Sequence, residues 1–453
     1  MKRDDGVTAA AAPRRPEAGA PEAGAPAPHP VAPGSPAPED PELARRHARV
    51  IAPALAHYSP LVVERAAGSY LQTADGRRYL DLGSGIATTN IGHGHPEVLA
   101  AAEAQLRRVI HLSITAYSEA PVALAEALVA VAPPGLDMVF FGNSGAEAVE
   151  GALKLARRVT GRGAVIAFLG GFHGRTMGAL SVTSSRAAYR AGYAPLLPGV
   201  YLTPFPATPD AGATAACLAQ LDHLFALAVP PEEVAAVLVE PVQGEGGVIV
   251  PQPAFLAGLR ERCDRHGIVL IFDEVQTGFG RTGAMFAAQR LGVTPDVMAV
   301  GKAIASGLPL SAVVGRRDLM EAWPEGSHGT TFGGNPVACA AGAATLAVLQ
   351  REGLPQRAGE LGAWALDELR GVVARHPDVA VAARGLGLLL GLECRRPEVV
   401  RALERRLLAA GILALHCGPA GEVLRLLPPL TVARDDLARA LAAVERALAA
   451  GPD

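Results

Sequence analysis

The chain has 453 residues, half of them apolar, and a formal net charge of −3 at pH 7. This length allows more than one compact unit with a large core, and the near-neutral charge gives no electrostatic reason to expect nucleic acid or an anionic membrane as a partner. The five cysteines are far apart and form neither a disulfide framework nor a zinc-binding pattern, so we expect reduced thiols and a cytoplasmic location.

The first segment, residues 1–42, is dominated by Ala, Pro, Gly and Glu, and its start lacks the apolar core of a signal peptide. Such a segment cannot bury enough apolar surface to offset its ordering entropy, so we predict a disordered tail. No apolar run elsewhere is long enough to span a bilayer. We therefore expect neither export nor membrane insertion.

After the tail, "SYLQTADGRRYLDL" predicts two short strands around a turn at Ala74, Asp75 and Gly76. From about residue 96 to 341, short apolar runs alternate with amphipathic stretches, which is typical of an α/β sheet layered by helices. The strands predicted there are 138–141, 164–168, 235–240, 268–274, 297–301 and 311–315.

Beyond residue 341, "GLGLLLGLEC", "GILALHC" and "VLRLLPPL" each predict one further strand among helices. We interpret residues 96–341 as a large domain and residues 342–453 as a smaller α/β domain. The segment 43–95 is expected to join the smaller domain.

Small or polar residues follow five of the predicted strands, and ligands bind outside the carboxyl ends of strands in open α/β sheets. The turn "GNSGA" after the first of them precedes a helix with Val149, Leu153 and Ala156 on one face. Free amides at such a helix start suit a phosphate group. An ordinary capped helix is the alternative, since Asn and Ser are also preferred caps.

Lys302 directly follows a predicted buried strand, where burial would lower its proton affinity and leave an amine able to form a Schiff base. A lysine that reaches solvent is the alternative. Asp273 ends the apolar run "VLIF", so its charge needs a partner. The ring nitrogen of a phosphate-bearing aromatic aldehyde held by the lysine would be one; a turn capped by Asp273 is the other reading. His93 and His95 lack a third ligand, so we expect no metal there.

The segments "NSGAEAVEGALKLAR", "GFHGRT", "EPVQGEGG", "DEVQTGFGRTG", "GKAIASGLPL", "TTFGGNP" and "VLRLLPPL" occur in this order. In that combination, residues 50 to 450 resemble the class III (ω-amino acid) aminotransferases of pyridoxal phosphate fold type I. Longer runs such as "CDRHGIVLIFDEVQTGFGRTG" are similar to the bacterial 4-aminobutyrate:2-oxoglutarate branch of that family. The resemblance implies a large domain with a mostly parallel central sheet, a smaller α/β domain and pyridoxal 5'-phosphate as cofactor.

The resemblance also implies roles for single residues. Lys302 would form an imine with the cofactor and carry the proton between the substrate carbon and the cofactor. Asp273 would bind the ring nitrogen. The other residues implied to hold the cofactor are Gln276 at the ring hydroxyl, Phe172 and Val275 on opposite ring faces, His173, and Ser144, Gly145 and Ala146 at the phosphate. Thr331 would reach the phosphate of a neighbouring subunit, which implies a homodimer, with a tetramer as an alternative assembly.

For the substrates, the resemblance implies that Arg175 binds the distal carboxylate and Arg425 the α-carboxylate of 2-oxoglutarate. Glu240 would pair with Arg425 while the amine donor is bound. Ile86 stands where ornithine-using relatives carry a tyrosine, which favours 4-aminobutyrate as donor.

Other substrates and functions stay open. Tyr58 resembles the ornithine branch, and Phe172 and Phe279 lie at positions that vary among relatives. This leaves 5-aminovalerate, β-amino acids, ornithine, acetylornithine or a diamine as donors. A decarboxylase or racemase on the same fold is another class. A ligand-sensing regulator is a third, but the tail has no helix-turn-helix pattern.

Overall fold

The computed structural model describes residues 40–451, which divide into two units, one that ends at Pro60 and one that begins at Leu61. Most of the predicted tail, residues 1–39, lies outside the described residues. In the first unit, helix α1 spans Pro41–Val50. It begins there because the Asp40 side chain accepts a hydrogen bond from the Leu43 amide at 2.9 Å and a proline occupies the first turn.

The second unit contains three β-sheets and the helices that pack against them. The strands are β1 Val63–Ala67, β2 Tyr70–Thr73, β3 Arg78–Asp81, β4 Met138–Gly142, β5 Ala164–Phe168, β6 Val200–Thr203, β7 Val234–Val239, β8 Val269–Asp273, β9 Val297–Val300, β10 Ser311–Gly315, β11 Ala380–Leu386, β12 Leu389–Cys394, β13 Ile412–Leu413, β14 Leu415–Cys417 and β15 Val423–Leu426. The helices are α2 Ser84–Ala87, α3 Pro96–Arg108, α4 Glu119–Val131, α5 Gly145–Thr160, α6 Met177–Val182, α7 Ala187–Arg190, α8 Ala211–Leu227, α9 Pro253–His266, α10 Ala287–Leu291, α11 Arg317–Glu321, α12 Pro336–Arg351, α13 Leu354–Arg375, α14 Pro397–Ala409 and α15 Arg434–Ala449.

The central sheet has the strand order β4-β10-β9-β8-β7-β5-β6. Neighbouring strands are parallel, except that β10 runs antiparallel to both β4 and β9. The predicted mostly parallel sheet is confirmed, and all six strands predicted between residues 96 and 341 are present. Strand β6 was missed because it is a short, partly exposed strand at the edge of the sheet.

The core of this sheet follows from strands that are buried on both faces. Every residue of β7 and β8 is buried. Successive residues alternate between two apolar clusters: Leu238 packs with Val149 of α5 on one face, whereas Val237 packs with Phe255 and Leu259 of α9 on the other. Such near-continuous Val, Ile and Leu runs are typical of a parallel sheet covered by helices on both sides.

Two smaller sheets contain the strands of the carboxyl-terminal part of the chain. One is antiparallel, with the order β11-β12-β15-β14, and the other has the order β1-β2-β3-β13, with β13 parallel to β3. The prediction of two strands around residues 74–76 is confirmed by β2 and β3.

The strands predicted in "GLGLLLGLEC" and "GILALHC" are present, but each segment contains residues of more than one strand. The segment "GLGLLLGLEC" contains the end of β11, the turn and all of β12, and the hairpin turns where Gly387 adopts a left-handed φ of +59°. A Cβ at that position would lie 2.5 Å from the Arg281 carbonyl oxygen, so only glycine fits. The segment "GILALHC" contributes two short strands, β13 and β14, to different sheets.

The division into domains stays a prediction. The pairing of β13 with β3 brings the segment after residue 60 beside the carboxyl-terminal region. Helix α12 runs without a break across the predicted boundary at residue 341. Between residues 40 and 451, no helix combines the length and apolar character that crossing a bilayer requires.

Candidate active site

The acid that ends β8 has a buried histidine as its partner. The Nδ1 atom of His173, in the loop after β5, lies 2.7 Å from Oδ2 of Asp273, and both side chains are buried. Burial works against the charged form of the imidazole, but the hydrogen bond and charge of Asp273, with the charge of Glu240, outweigh it and raise the pKa of His173. The sequence indicated both residues, but not that they contact each other.

The next acid along the chain, Glu274, has a different task. Its carboxylate accepts hydrogen bonds from the amides of Ala287 and Ala288 at 2.9 and 2.7 Å, which caps helix α10, and from the hydroxyl of Thr277. Burial raises the pKa of Glu274 to about 7. The two neighbouring acids therefore serve separate functions: Glu274 holds a helix end, and Asp273 points to the histidine.

The amine of Lys302 belongs to a segment with an unusual backbone. Lys302 follows β9 through Gly301, opens a 3₁₀ turn and has a left-handed φ of +44°. A non-glycine residue in this region stores strain, which is common at functional sites. The side chain is partly buried, and burial lowers the pKa of Lys302, with the charges of Asp273 and Glu240 opposing this. A larger share of the amine is therefore neutral and nucleophilic.

The turn between β4 and α5 presents the start of a helix. The Ser144 hydroxyl accepts a hydrogen bond from the Glu147 amide at 3.3 Å, so the helix is capped, as the alternative interpretation held. The turn is also tightly packed: a Cβ on Gly145 would lie 2.6 Å from Cγ1 of Val275, and one on Gly301 would lie 3.4 Å from the Cα of Gly145. The turn, Val275 and the segment of Lys302 therefore converge.

A buried amide supplies an independent sign of a ligand. The Oε1 atom of Gln276 is buried and has no hydrogen-bond partner among residues 40–451. An unpaired buried polar atom costs about 1–3 kcal/mol, so a ligand group that pairs with it is favoured. The side-chain oxygen and nitrogen of an amide are assigned from their surroundings, so the group can donate or accept here.

These features fit pyridoxal phosphate group by group. The cofactor has a ring nitrogen for an acid, an aldehyde for an amine, a phosphate for a helix start and a hydroxyl for an amide. Phe172 and Val275, predicted to lie on its two faces, are partly exposed. Thr331 and Ser144 are exposed, and the predicted contact of Thr331 with a second subunit stays a prediction.

The two arginines predicted to bind substrate carboxylates are connected through a tyrosine and a glutamate. The exposed Arg175 has its guanidinium carbon 3.8 Å from the centroid of the Tyr189 ring. The Tyr189 hydroxyl donates to Oε1 of Glu245 at 3.1 Å, and Oε2 of Glu245 lies 3.1 Å from Nη1 of the buried Arg425. The sequence did not indicate Tyr189 or Glu245. Glu245 lies between glycines, and such a sequence does not predict where the side chain points.

Glu240, the third residue predicted to act on the substrates' charges, is buried and binds backbone amides. It accepts hydrogen bonds from the amides of Phe172 at 2.8 Å and Gly244 at 3.0 Å. Burial raises the pKa of Glu240 to about 7, although the charge of His173 opposes this. Its predicted pairing with Arg425 in the donor-bound state stays a prediction; in the structure, Glu245 lies at ion-pair distance from Arg425.

Ile86 lies in a strained segment at the start of the second unit. Its φ and ψ are +62° and 56°, and 38% of its surface is exposed. A β-branched residue in the left-handed region is uncommon, which supports a functional position. The sequence pattern alone carries no sign of this strain.

The two histidines raised as metal ligands lie in ordinary polar contacts. Nε2 of His93 is 2.8 Å from Oδ2 of Asp81. His95 has ligand atoms near those of Glu97 and Glu352, but Arg351 already pairs with both of these exposed acids. A cation there would compete with a guanidinium, so this group does not favour a metal.

Comparisons with known proteins show the family of the chain. The family model described as Aminotransferase class-III matches residues 51–448. The chain is 39% identical over 402 residues to 4-aminobutyrate aminotransferase GabT of Escherichia coli (strain K12), covering 86% of this chain and 94% of that protein. It is 41% identical over 391 residues to acetylornithine aminotransferase of Methanopyrus kandleri, covering 86% and 95%. Among solved structures, it resembles the PLP-bound form of an amine transaminase from an uncultivated Pseudomonas species, with a TM-score of 0.80, 34% identity and coverage of 86% and 95%.

Proposed function

The chain belongs to the class-III aminotransferases, and on that premise we propose that it moves the amino group of 4-aminobutyrate to 2-oxoglutarate, giving an aldehyde and glutamate by a ping-pong mechanism. The enzyme is a transaminase, and its cofactor is pyridoxal phosphate. When bound, the cofactor supplies an electron sink for the carbanion formed at the reacting carbon of the substrate.

The residues at the strand ends each have one task in this reaction. Asp273, held by His173, would keep a proton on the ring nitrogen, and Gln276 would bind the ring hydroxyl. The amides after β4 bind the phosphate. The Lys302 amine would accept the proton from the reacting carbon of the substrate and hold it at Nζ.

Two arginines allow one pocket to accept both substrates. Arg175 binds the carboxylate that 4-aminobutyrate and 2-oxoglutarate share. Arg425 binds the second carboxylate of 2-oxoglutarate, next to the reacting carbon. When the donor is present, Glu240 compensates the charge of Arg425, because a buried guanidinium without an anion is costly.

The observation that carries the proposal is the connection of both arginines to one Tyr189–Glu245 pair. Two guanidinium groups in one region match an acceptor with two carboxylates. The donor assignment is supported by Ile86, whose apolar side chain suits a donor without a second ammonium group.

Acetylornithine is a second candidate donor. It is favoured by the 41% identity to the Methanopyrus kandleri acetylornithine aminotransferase over a similar share of the chain. Ornithine, 5-aminovalerate and diamines belong to the same test, because ornithine and diamines carry a second amino group and 5-aminovalerate is longer than 4-aminobutyrate by one methylene group.

The experiment is an amine panel with 2-oxoglutarate and the purified holoenzyme, with glutamate formation as the readout. We expect kcat/KM for 4-aminobutyrate to exceed that for acetylornithine and ornithine by about tenfold or more, because apolar contacts in a substrate pocket discriminate on that scale. A preference for acetylornithine or ornithine would overturn the assignment of 4-aminobutyrate as the donor. Glutamate from no donor at all would favour a decarboxylase or racemase.

We propose a homodimer as the working unit, in which Thr331 of one subunit reaches the phosphate turn of the other. Ile114, Tyr117 and Phe332 are large apolar residues that are more than half exposed, and a concentration of such residues is typical of an interface. We also propose a cytoplasmic location, which the five buried free cysteines support.

A further inference from the structure

Glu245 lies where three cationic or polar groups meet. Its side chain is buried, with Oε2 3.1 Å from Nη1 of Arg425. Oε1 accepts the Tyr189 hydroxyl at 3.1 Å and lies 3.6 Å from Nη2 of Arg186. The position of the acid is therefore fixed from several sides, and it offers an anion to Arg425 before any substrate arrives.

The same tyrosine touches the other arginine. Its ring lies under the Arg175 guanidinium at 3.8 Å, and Phe172 packs edge-on against it with ring centroids 5.9 Å apart. The ring of Tyr189 thus supports Arg175, whereas its hydroxyl acts on Glu245 and, through it, on Arg425. Tyr189 therefore contacts Arg175 through its ring and Glu245, the partner of Arg425, through its hydroxyl.

We propose that Glu245 is a positioning residue that competes with a substrate carboxylate for Arg425, and that Tyr189 sets the strength of this competition. The proposal rests on the assignment of Arg175 and Arg425 to the two carboxylates. It makes Glu245 a second acid, beside Glu240, that lets the pocket accept a donor without a carboxylate at the reacting carbon.

The physical argument gives opposite signs for two substitutions. Glu245→Gln keeps the shape and removes the anion, so Arg425 attracts a second carboxylate more strongly. Tyr189→Phe keeps the ring under Arg175 and removes the hydrogen bond to Oε1, which leaves the carboxylate of Glu245 more available to Arg425. A dicarboxylate then binds less tightly.

The test measures dissociation constants of the holoenzyme for glutarate and butyrate. Neither compound has a reacting amine or carbonyl group, and they differ in the carboxylate that Arg425 would bind. We expect Glu245→Gln to lower the dissociation constant for glutarate about fivefold and Tyr189→Phe to raise it about threefold. Both variants should leave butyrate within about twofold of the wild type.

Two further variants complete the design. Tyr189→Leu removes both the ring under Arg175 and the hydroxyl that bonds Glu245, so it should weaken the binding of butyrate as well as glutarate, and that of glutarate more. Glu97→Gln is the matched control, because Glu97 pairs with Arg351 at 2.6 Å on the surface; it should change neither constant.

The proposal is overturned if Glu245→Gln leaves glutarate unchanged or weakens it, or if Tyr189→Phe shifts both ligands equally. A merely structural role for Glu245 would weaken both ligands together. The proposed reaction fails on a separate observation, the absence of glutamate formation by the wild-type enzyme, because binding of glutarate and butyrate needs no turnover.

Discussion

Nδ1 of His173 and Oδ2 of Asp273 lie 2.7 Å apart with both side chains buried, although 100 residues separate them in the chain. This contact gives the acid at the end of β8 a fixed direction. A carboxylate held in this way keeps its negative charge in a fixed position. A fixed negative charge beside a ring nitrogen favours the protonated form of that nitrogen.

Asp273→Asn should lower kcat/KM about 10³-fold, because an amide cannot hold the proton on the ring nitrogen. The measurement is glutamate formation at saturating cofactor. Asp222→Asn is the control, since Asp222 pairs with Arg262 on the surface. Equal activities of the wild type and Asp273→Asn would contradict the role of Asp273.

The stability contribution of His173 should depend on pH. Its pKa is raised in the folded protein, so the contribution is fully present below the ordinary histidine pKa of about 6.5 and is lost as pH rises through the raised pKa. The difference in Tm between the cofactor-free wild type and His173→Gln should therefore shrink between about pH 6 and pH 9. A difference that is constant or grows over this range would speak against the charged pair.

Arg425→Ala should damage the half-reaction with 2-oxoglutarate about 10²-fold and the amine half-reaction only a few-fold, because only the acceptor has a carboxylate beside the reacting carbon. Single-turnover absorbance measurements separate the two halves. Arg351→Ala, which removes a surface arginine, is the control. Equal losses in both halves would rule out the assignment.

Gly145→Ala should weaken cofactor binding about tenfold or more, because the new Cβ would lie 2.6 Å from Cγ1 of Val275 and displace the turn. Titration of the cofactor-free protein with pyridoxal phosphate measures the effect. Gly163→Ala is the matched control, since a Cβ there meets nothing within 4 Å. If both variants bind the cofactor like the wild type, the turn after β4 does not hold it.

Much of the fold could be predicted from the sequence because the central strands are local signals. Runs such as residues 235–239 and 269–272 are apolar and bounded by turn residues, and each became a fully buried strand. The first strand of the hairpin at Gly387, β11, was missed because it contains Arg384 and is only partly buried, so it does not stand out as an apolar run.

The contacts within the site were harder to predict. Lys302 and Asp273 stand out as charged residues at the ends of apolar strands, so a local pattern finds them. The pairing of Glu245 with Tyr189 joins residues 56 positions apart, and its pairing with Arg425 joins the loop after β7 to strand β15. Such contacts depend on how the elements pack, and the strain at Ile86 depends on backbone angles that composition does not encode.

The central claim is that the Lys302 amine binds the cofactor at the site built around Asp273. The most direct test is to reduce the holoenzyme with borohydride and locate the modified residue by peptide mass spectrometry. We predict that the cofactor is attached to Lys302 in the wild type, and that Lys302→Ala shows no imine absorbance with added pyridoxal phosphate. Attachment to another lysine, or imine absorbance that survives in Lys302→Ala, would contradict the account.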